Sequence, residues 1–139
     1  MTEKSYEVAH LDDLERFPVD DQGLVWRPVR RRLGIHAFGT NAYTAAKAGD
    51  NVVEEHFERG GHEELYFVAR GRASFTLGEE DEEVDAPRGT LVFAQPGTKR
   101  GAVAVEDETT VLAEHEELGR FRLSAEGSPE WLFTENETN

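Results

Sequence analysis

The chain contains no cysteine and no long run of apolar residues. Without thiols the fold cannot use a disulfide, and no cysteine is available as a nucleophile. No apolar segment approaches the roughly 20 residues that a membrane-spanning helix needs. The first ten residues, MTEKSYEVAH, lack the apolar core of a secretory signal. Without cysteines the thiols do not indicate a compartment, and the lack of an apolar span and of a secretory signal makes the cytoplasm the expected location.

Positive charge is also scarce. The chain carries 15 lysines and arginines against 29 aspartates and glutamates, so its net charge is 15 − 29 = −14. Nucleic acids and anionic membranes both attract positive surfaces, and we therefore exclude them as partners. Four arginines form a basic cluster in residues 26–33, and we expect them to pair with acidic side chains or across a dimer interface rather than to capture a small anion. They are Arg27, Arg30, Arg31 and Arg32.

Short β-type segments separated by glycine and proline turns make up most of the sequence. About eight to ten such segments, with a turn every ten residues or so, are typical of an all-β double-sheet jelly roll. At 139 residues the chain is expected to form a single domain, with a barrel over residues 24–118. Apolar residues at helical spacing predict a short helix over 10–17. A serine cap followed by proline predicts one helical turn over 128–133.

Residues 62–68, HEELYFV, are rich in β-formers and lie close to glycines, which favours a strand. In a strand, side chains alternate between faces, so His62, Glu64 and Tyr66 share one face about 7 Å apart along the chain. Residues 51–57 are a second strand candidate. There the same alternation places Glu54 and His56 on one face together with Val52.

A metal site is one interpretation of these residues. Two imidazoles and a carboxylate, from His56, His62 and Glu64, suit a divalent iron, manganese, nickel or zinc ion. The alternative is that all three are surface residues of an acidic hairpin. His115 shares a strand face with Val111, and it would approach the same site if that face looked inward.

The segment 49–101 resembles the two sequence motifs of the cupin superfamily. Glu64, six further residues and Gly71 match the end of the first motif, and Gly49 loosely matches its leading glycine. Residues 89–100, GTLVFAQPGTKR, are similar to the second motif. The resemblance is to small single-domain cupins of unassigned function. It implies a cupin-type double-stranded β-helix, or jelly-roll barrel, often assembled as a homodimer.

Two departures from the motifs concern metal ligands. By strict count the histidine pair of the first motif would fall at Glu58 and Gly60, and the histidine of the second motif would fall at Arg100. Arginine cannot ligate a cation, because its guanidinium stays protonated and offers only donors. Either the metal site has rearranged around two other histidines and Glu64, or Arg100 pairs with Glu64 or holds an anionic ligand in a bidentate fork.

Two functions follow from these alternatives. The first is a small-molecule-binding protein whose pocket lies inside the barrel, with Arg100 as a polar contact and Tyr66, Phe75 and Phe93 as walls. The second is a metal-dependent cupin enzyme of dioxygenase or isomerase type that uses the rearranged His/His/Glu site. The sequence contains no pattern for a serine or cysteine nucleophile and no phosphate loop, and it assigns no catalytic residue.

Overall fold

The computed structural model describes residues 5–19, 23–57 and 63–116. Within these ranges it contains one short helix, one 3₁₀ turn and ten strands. The 3₁₀ turn is Leu11–Asp13 and the helix α1 is Val29–Leu33. The strands are β1 Phe17–Pro18, β2 Leu24–Pro28, β3 Phe38–Ala45, β4 Asn51–Phe57, β5 Glu64–Arg70, β6 Arg72–Leu77, β7 Glu82–Pro87, β8 Leu91–Ala94, β9 Lys99–Ala104 and β10 Thr109–Glu116.

The strands form two antiparallel sheets. The first has the order β1-β2-β3-β10-β5-β8, and the second has the order β4-β9-β6-β7. Strand β10 lies between β3 and β5, so the last strand closes the first sheet at its centre. The all-β jelly roll predicted from the sequence is confirmed. No helix among the described residues is long and apolar enough to cross a membrane.

The inner faces of the two sheets enclose one main apolar core. Strand β5 shows the alternation that builds it, because Tyr66 and Val68 are buried while Phe67 between them points outward. From the second sheet, β6 contributes Ala73 and Phe75, both completely buried. Alternation of side chains across a pleated strand therefore places every second residue in the core.

Strand β4 departs from this alternation. Its register against β9 shifts twice, between Asn51 and Val53 and again between Val53 and His56. Val52 and Val53 are consequently both buried, and Glu54 is exposed, so the expectation that Val52 and Glu54 share one face is wrong. An inserted residue moves every later side chain to the other face, which a regular two-residue period cannot anticipate.

The predicted helix over 10–17 is largely replaced by extended chain. Only Leu11–Asp13 is helical, and Leu14 already has extended backbone angles. Phe17 then pairs with Trp26 in a short ladder between β1 and β2, and the two rings lie 5.8 Å apart. Burial of these aromatic rings in an added strand outweighs the weak helical pattern of so short a segment.

The arginine cluster lies in and beside α1, and the helix itself was not predicted. Arg31 and Arg32 lie within 4 Å of Glu15 and Glu7, so they pair with acidic residues as expected. Arg30 is buried and donates to the carbonyl of Ile35, which ties down the turn that follows the helix. The helical turn predicted over 128–133 lies outside the described residues.

Candidate functional site

Three polar side chains meet inside one end of the barrel. Arg100 donates through Nη1 to Oε1 of Glu64 at 2.8 Å, and the hydroxyl of Tyr66 donates to the same oxygen at 2.6 Å. Arg100 has no exposed surface, whereas the side chain of Glu64 remains 13% exposed. The two donors hold the carboxylate in one orientation, and the charged pair links the two sheets.

The strand geometry explains why these three side chains meet. Glu64 and Tyr66 are two residues apart on β5 and therefore share its inner face. Arg100 lies on β9 of the opposite sheet, paired in register with His56 of β4 and Leu77 of β6. Its long side chain can therefore reach across the barrel to β5.

Two carbonyl groups complete the surroundings of the guanidinium. Nε of Arg100 donates to the carbonyl of Thr98 at 2.8 Å, and Nη2 donates to the carbonyl of Gln95 at 3.0 Å. Both carbonyls belong to the turn between β8 and β9, the segment that resembles the second cupin motif. Nε, Nη1 and Nη2 of Arg100 thus each have an acceptor, and the guanidinium neutralises Glu64 at the same time, which is what a buried charge requires.

Two tyrosines near this pair are held in the neutral form. The pKa of Tyr66 is raised, mainly because burial disfavours the phenolate and further because the phenol lies beside the Glu64 carboxylate. The pKa of Tyr43 is also raised, mainly by burial and then by the negative charges of Glu64 and Glu54. Both hydroxyl groups therefore keep their protons at neutral pH.

His115 lies beside Glu64 in the neighbouring strand. The two residues are paired across β10 and β5, and His115 is 8% exposed. Its imidazole occupies the space above Gly39 of β3, where an added Cβ would lie 2.4 Å from the ring. His115 would approach the site only if its strand face looked inward, and its side chain is indeed buried. Gly39 has no side chain, which leaves room for the imidazole ring.

Of the apolar residues predicted to line the interior, the structure places two inside and one outside. The rings of Tyr66 and Phe75 are 5.7 Å apart in a tilted arrangement within the core. Phe93 is 54% exposed, because Val92 and Ala94 take the inward positions of β8. The expectation that Phe93 forms a pocket wall is therefore corrected.

Sequence patterns missed several parts of this cluster. The alternation of its strand allows Tyr43 to line the barrel interior or to pack in the core, and its place near Glu64 depends on the pairing of β3 with β10. The acceptors at Gln95 and Thr98 are backbone carbonyls, so the residue types at these positions do not reveal them. For His115 the available signal was the apolar alternation of β10, and its pairing with Glu64 required the register.

The fold and this charged cluster together define a jelly-roll barrel with an ion pair at one interior end. No protein-family model matches the chain, and no curated protein matches it in sequence. Solved structures do match. An RmlC-like cupin protein from Desulfovibrio desulfuricans is 29% identical, with 83% of this chain and 97% of that chain covered and a TM-score of 0.59.

Two further structures share the fold at lower identity. One is a sugar phosphate isomerase of the cupin superfamily from Silicibacter pomeroyi, 19% identical, which covers 79% of this chain and 75% of its own, with a TM-score of 0.65. The other is KdgF from Halomonas sp., 20% identical, which covers 76% of this chain and 89% of its own, with a TM-score of 0.63. The chain has the fold of the small RmlC-like cupins.

Cupins often bind a metal ion, so the donor set of this chain can be tested for its fit to one. Within residues 5–19, 23–57 and 63–116, no three histidine, aspartate or glutamate side chains are grouped as a metal site would require. Glu64, the predicted carboxylate ligand, already binds Arg100. A dication bound to Glu64 would compete with the guanidinium for the carboxylate and would lie near a charge of the same sign. The described residues therefore do not fit a metal at Glu64.

The structure describes the two predicted histidine ligands only in part. The structure describes the backbone of His56, which lies opposite Arg100 in the ladder between β4 and β9. His62 lies outside the described residues. The three-ligand set of His56, His62 and Glu64 therefore stays a prediction.

Proposed function

We propose that this protein binds a small polar molecule inside the barrel, at the end where Glu64, Arg100 and Tyr66 meet. The observation that carries the proposal is the ion pair between the completely buried Arg100 and the partly exposed Glu64, beside the rings of Tyr66 and Phe75. Taking two charges out of water is costly, and well-packed apolar residues would serve stability as well or better. An apolar interior with a few convergent polar groups is the usual composition of a small-molecule site.

The residues have different roles in this proposal. Glu64 contacts the ligand, because its side chain is partly exposed and a carboxylate accepts hydrogen bonds from hydroxyl groups. Arg100 is a positioning residue that acts through Glu64, since its own surface is completely covered. Tyr66 is also buried, and its hydroxyl orients the carboxylate of Glu64, while Phe75 packs against its ring.

The charges of the cluster favour a neutral ligand rich in hydroxyl groups. Arg100 and Glu64 neutralise each other, and the neighbouring phenols of Tyr43 and Tyr66 are neutral. An anionic ligand would have to approach Glu64 although Arg100, the cationic partner seen in this part of the structure, is already paired with it. A sugar or sugar-like polyol meets these requirements.

A thermal-shift screen tests the proposal. The probes are neutral monosaccharides and polyols, the corresponding sugar phosphates and uronic acids, each at millimolar concentration. We expect a neutral member to raise the melting temperature of the wild type, and calorimetry to show at least tenfold weaker binding to Glu64→Gln. Asp85→Asn is the matched control, because Asp85 is also paired with an arginine but lies on the surface, and it should bind like the wild type.

Two outcomes would contradict the proposal. If the same sugar binds Glu64→Gln and the wild type equally well, the site is elsewhere. If phosphorylated or carboxylated sugars bind and neutral ones do not, Arg100 itself holds an anion, as the fork interpretation of the sequence predicted.

A metal-dependent enzyme of dioxygenase or isomerase type is the second candidate. It is favoured by the register, which brings the backbone of His56 to the same end of the barrel as Glu64. It requires His56, His62 and Glu64 to share one ion, and therefore requires Glu64 to leave Arg100. Metal analysis of His62→Ala beside the wild type tests it directly, since a ligand's loss must lower the metal content.

A further inference from the structure

We propose that the guanidinium of Arg100 is the permanent cation of this site and takes the place that a metal ion has in metal-binding cupins. Glu64 then binds an arginine, and the site operates without a metal. This inference does not depend on the proposed ligand, because the metal content and the state of Arg100 can be measured without one.

The surroundings of Arg100 are those of a bound cation. Three oxygen atoms accept hydrogen bonds from it, one from the carboxylate of Glu64 and two from the carbonyls of Gln95 and Thr98. Carboxylate and carbonyl oxygens are also the groups that surround hard metal ions in proteins. Here they surround a planar cation that is attached to the chain and always charged.

The sequence positions support the same inference. Arg100 stands where the second motif has its histidine, and Glu64 stands where the first motif has its carboxylate ligand. In the motifs, the residues at these two positions would ligate the same ion. Here Nη1 of Arg100 and Oε1 of Glu64 lie 2.8 Å apart as an ion pair. Arginine at position 100 thus places a positive charge where the motif has a metal ligand.

The third observation is the way the pair is enclosed. Arg100 is completely buried, and Tyr66 donates to the same carboxylate oxygen that Arg100 does. A metal ion that used this oxygen would have to displace two donors and then remain beside a charge of the same sign. Exchange of the arginine for a free ion is therefore disfavoured even when metal is abundant.

The first test measures metal. The wild type is purified without chelating resin, and manganese, iron, nickel and zinc are measured per chain, before and after dialysis against each ion. We expect the wild type to contain less than 0.1 ion per chain more than Glu64→Gln. We also expect the wild type to have the same melting temperature with and without EDTA. About one ion per chain that is lost in both Glu64→Gln and His62→Ala would overturn the inference. If Glu64→Gln retains the metal, the metal is bound elsewhere, and that result supports the inference.

The second test detects the guanidinium itself. In ¹⁵N NMR spectra, Nε–H of Arg100 should give a signal that exchanges with water at least tenfold more slowly than that of Arg72, which is on the surface. Arg100→Lys assigns the signal by its loss. Glu64→Gln should shift it and Asp85→Asn should not. An Arg100 signal that exchanges as fast as that of Arg72 would also overturn the inference.

Discussion

Arg100 and Glu64 join the two sheets of the barrel through a 2.8 Å hydrogen bond between oppositely charged groups. Arg100 belongs to β9 of the four-stranded sheet, and Glu64 belongs to β5 of the six-stranded sheet. The pair is buried on the arginine side and partly open on the glutamate side. The pair therefore connects the two sheets and places two opposite charges in the barrel interior.

Removal of one partner of this pair should be strongly destabilising. Arg100→Met leaves the carboxylate of Glu64 without its counter-charge, and we expect a loss of about 3–5 kcal/mol in the free energy of unfolding. The double variant Arg100→Met/Glu64→Gln should recover part of this loss, because no lone charge remains. Urea denaturation measures both effects.

The surface pair Arg72–Asp85 is the control for that experiment. Both of its side chains are substantially exposed, and Arg72→Met should cost at most about 1 kcal/mol. If Arg100→Met cost no more than Arg72→Met, the interior pair would have no special role in stability.

Tyr66 should contribute stability through its hydroxyl group. Tyr66→Phe keeps the ring contact with Phe75 and removes the hydrogen bond to Glu64. Hydrogen bonds to charged groups contribute about 1.5–3 kcal/mol, and we expect a loss in this range in urea denaturation. Tyr6→Phe, at a residue that is 61% exposed, should change stability by less than about 0.5 kcal/mol. Equal effects of the two substitutions would argue against the hydrogen bond.

Stability should fall at alkaline pH because of the raised pKa values of Tyr43 and Tyr66. Above the ordinary tyrosine pKa of about 10, the unfolded chain releases these protons while the folded chain retains them. The unfolded state then binds fewer protons, so the free energy of unfolding decreases as pH rises, by up to about 1.4 kcal/mol per pH unit for each tyrosine.

Urea midpoints at pH 9 and pH 11 measure this decrease. Tyr43→Phe and Tyr66→Phe should each make it smaller, since each removes one titrating group that is protected in the fold. A decrease of the same size in the wild type and in both variants would show that other groups, such as Lys99, cause it.

Gly39 should be intolerant of a side chain because of His115. A Cβ at position 39 would lie 2.4 Å from the imidazole, so Gly39→Ala should cost about 1–3 kcal/mol through overpacking. His115→Ala removes the obstruction, and the double variant should therefore lose less than the sum of the two single variants. Additive losses in urea denaturation would contradict the contact.

The sequence predicted the strands of the motif region well because their patterns are local. Alternation placed Glu64 and Tyr66 on one face of β5, and the structure joins them by a hydrogen bond. It failed at β4, where two register shifts expose Glu54. It also failed at Phe93, since a short strand with apolar residues on both faces does not reveal which face is inside.

The sequence alone determined the all-β class and the motif positions of Glu64 and Arg100. It also determined that position 100 holds an arginine, which cannot ligate a metal. These follow from residue identity and from spacing along one strand. The tertiary structure decided that Arg100 reaches Glu64 from the opposite sheet and that His115 lies beside it above Gly39. Such contacts depend on register and on the packing of two sheets, and these properties are fixed only when distant strands pair.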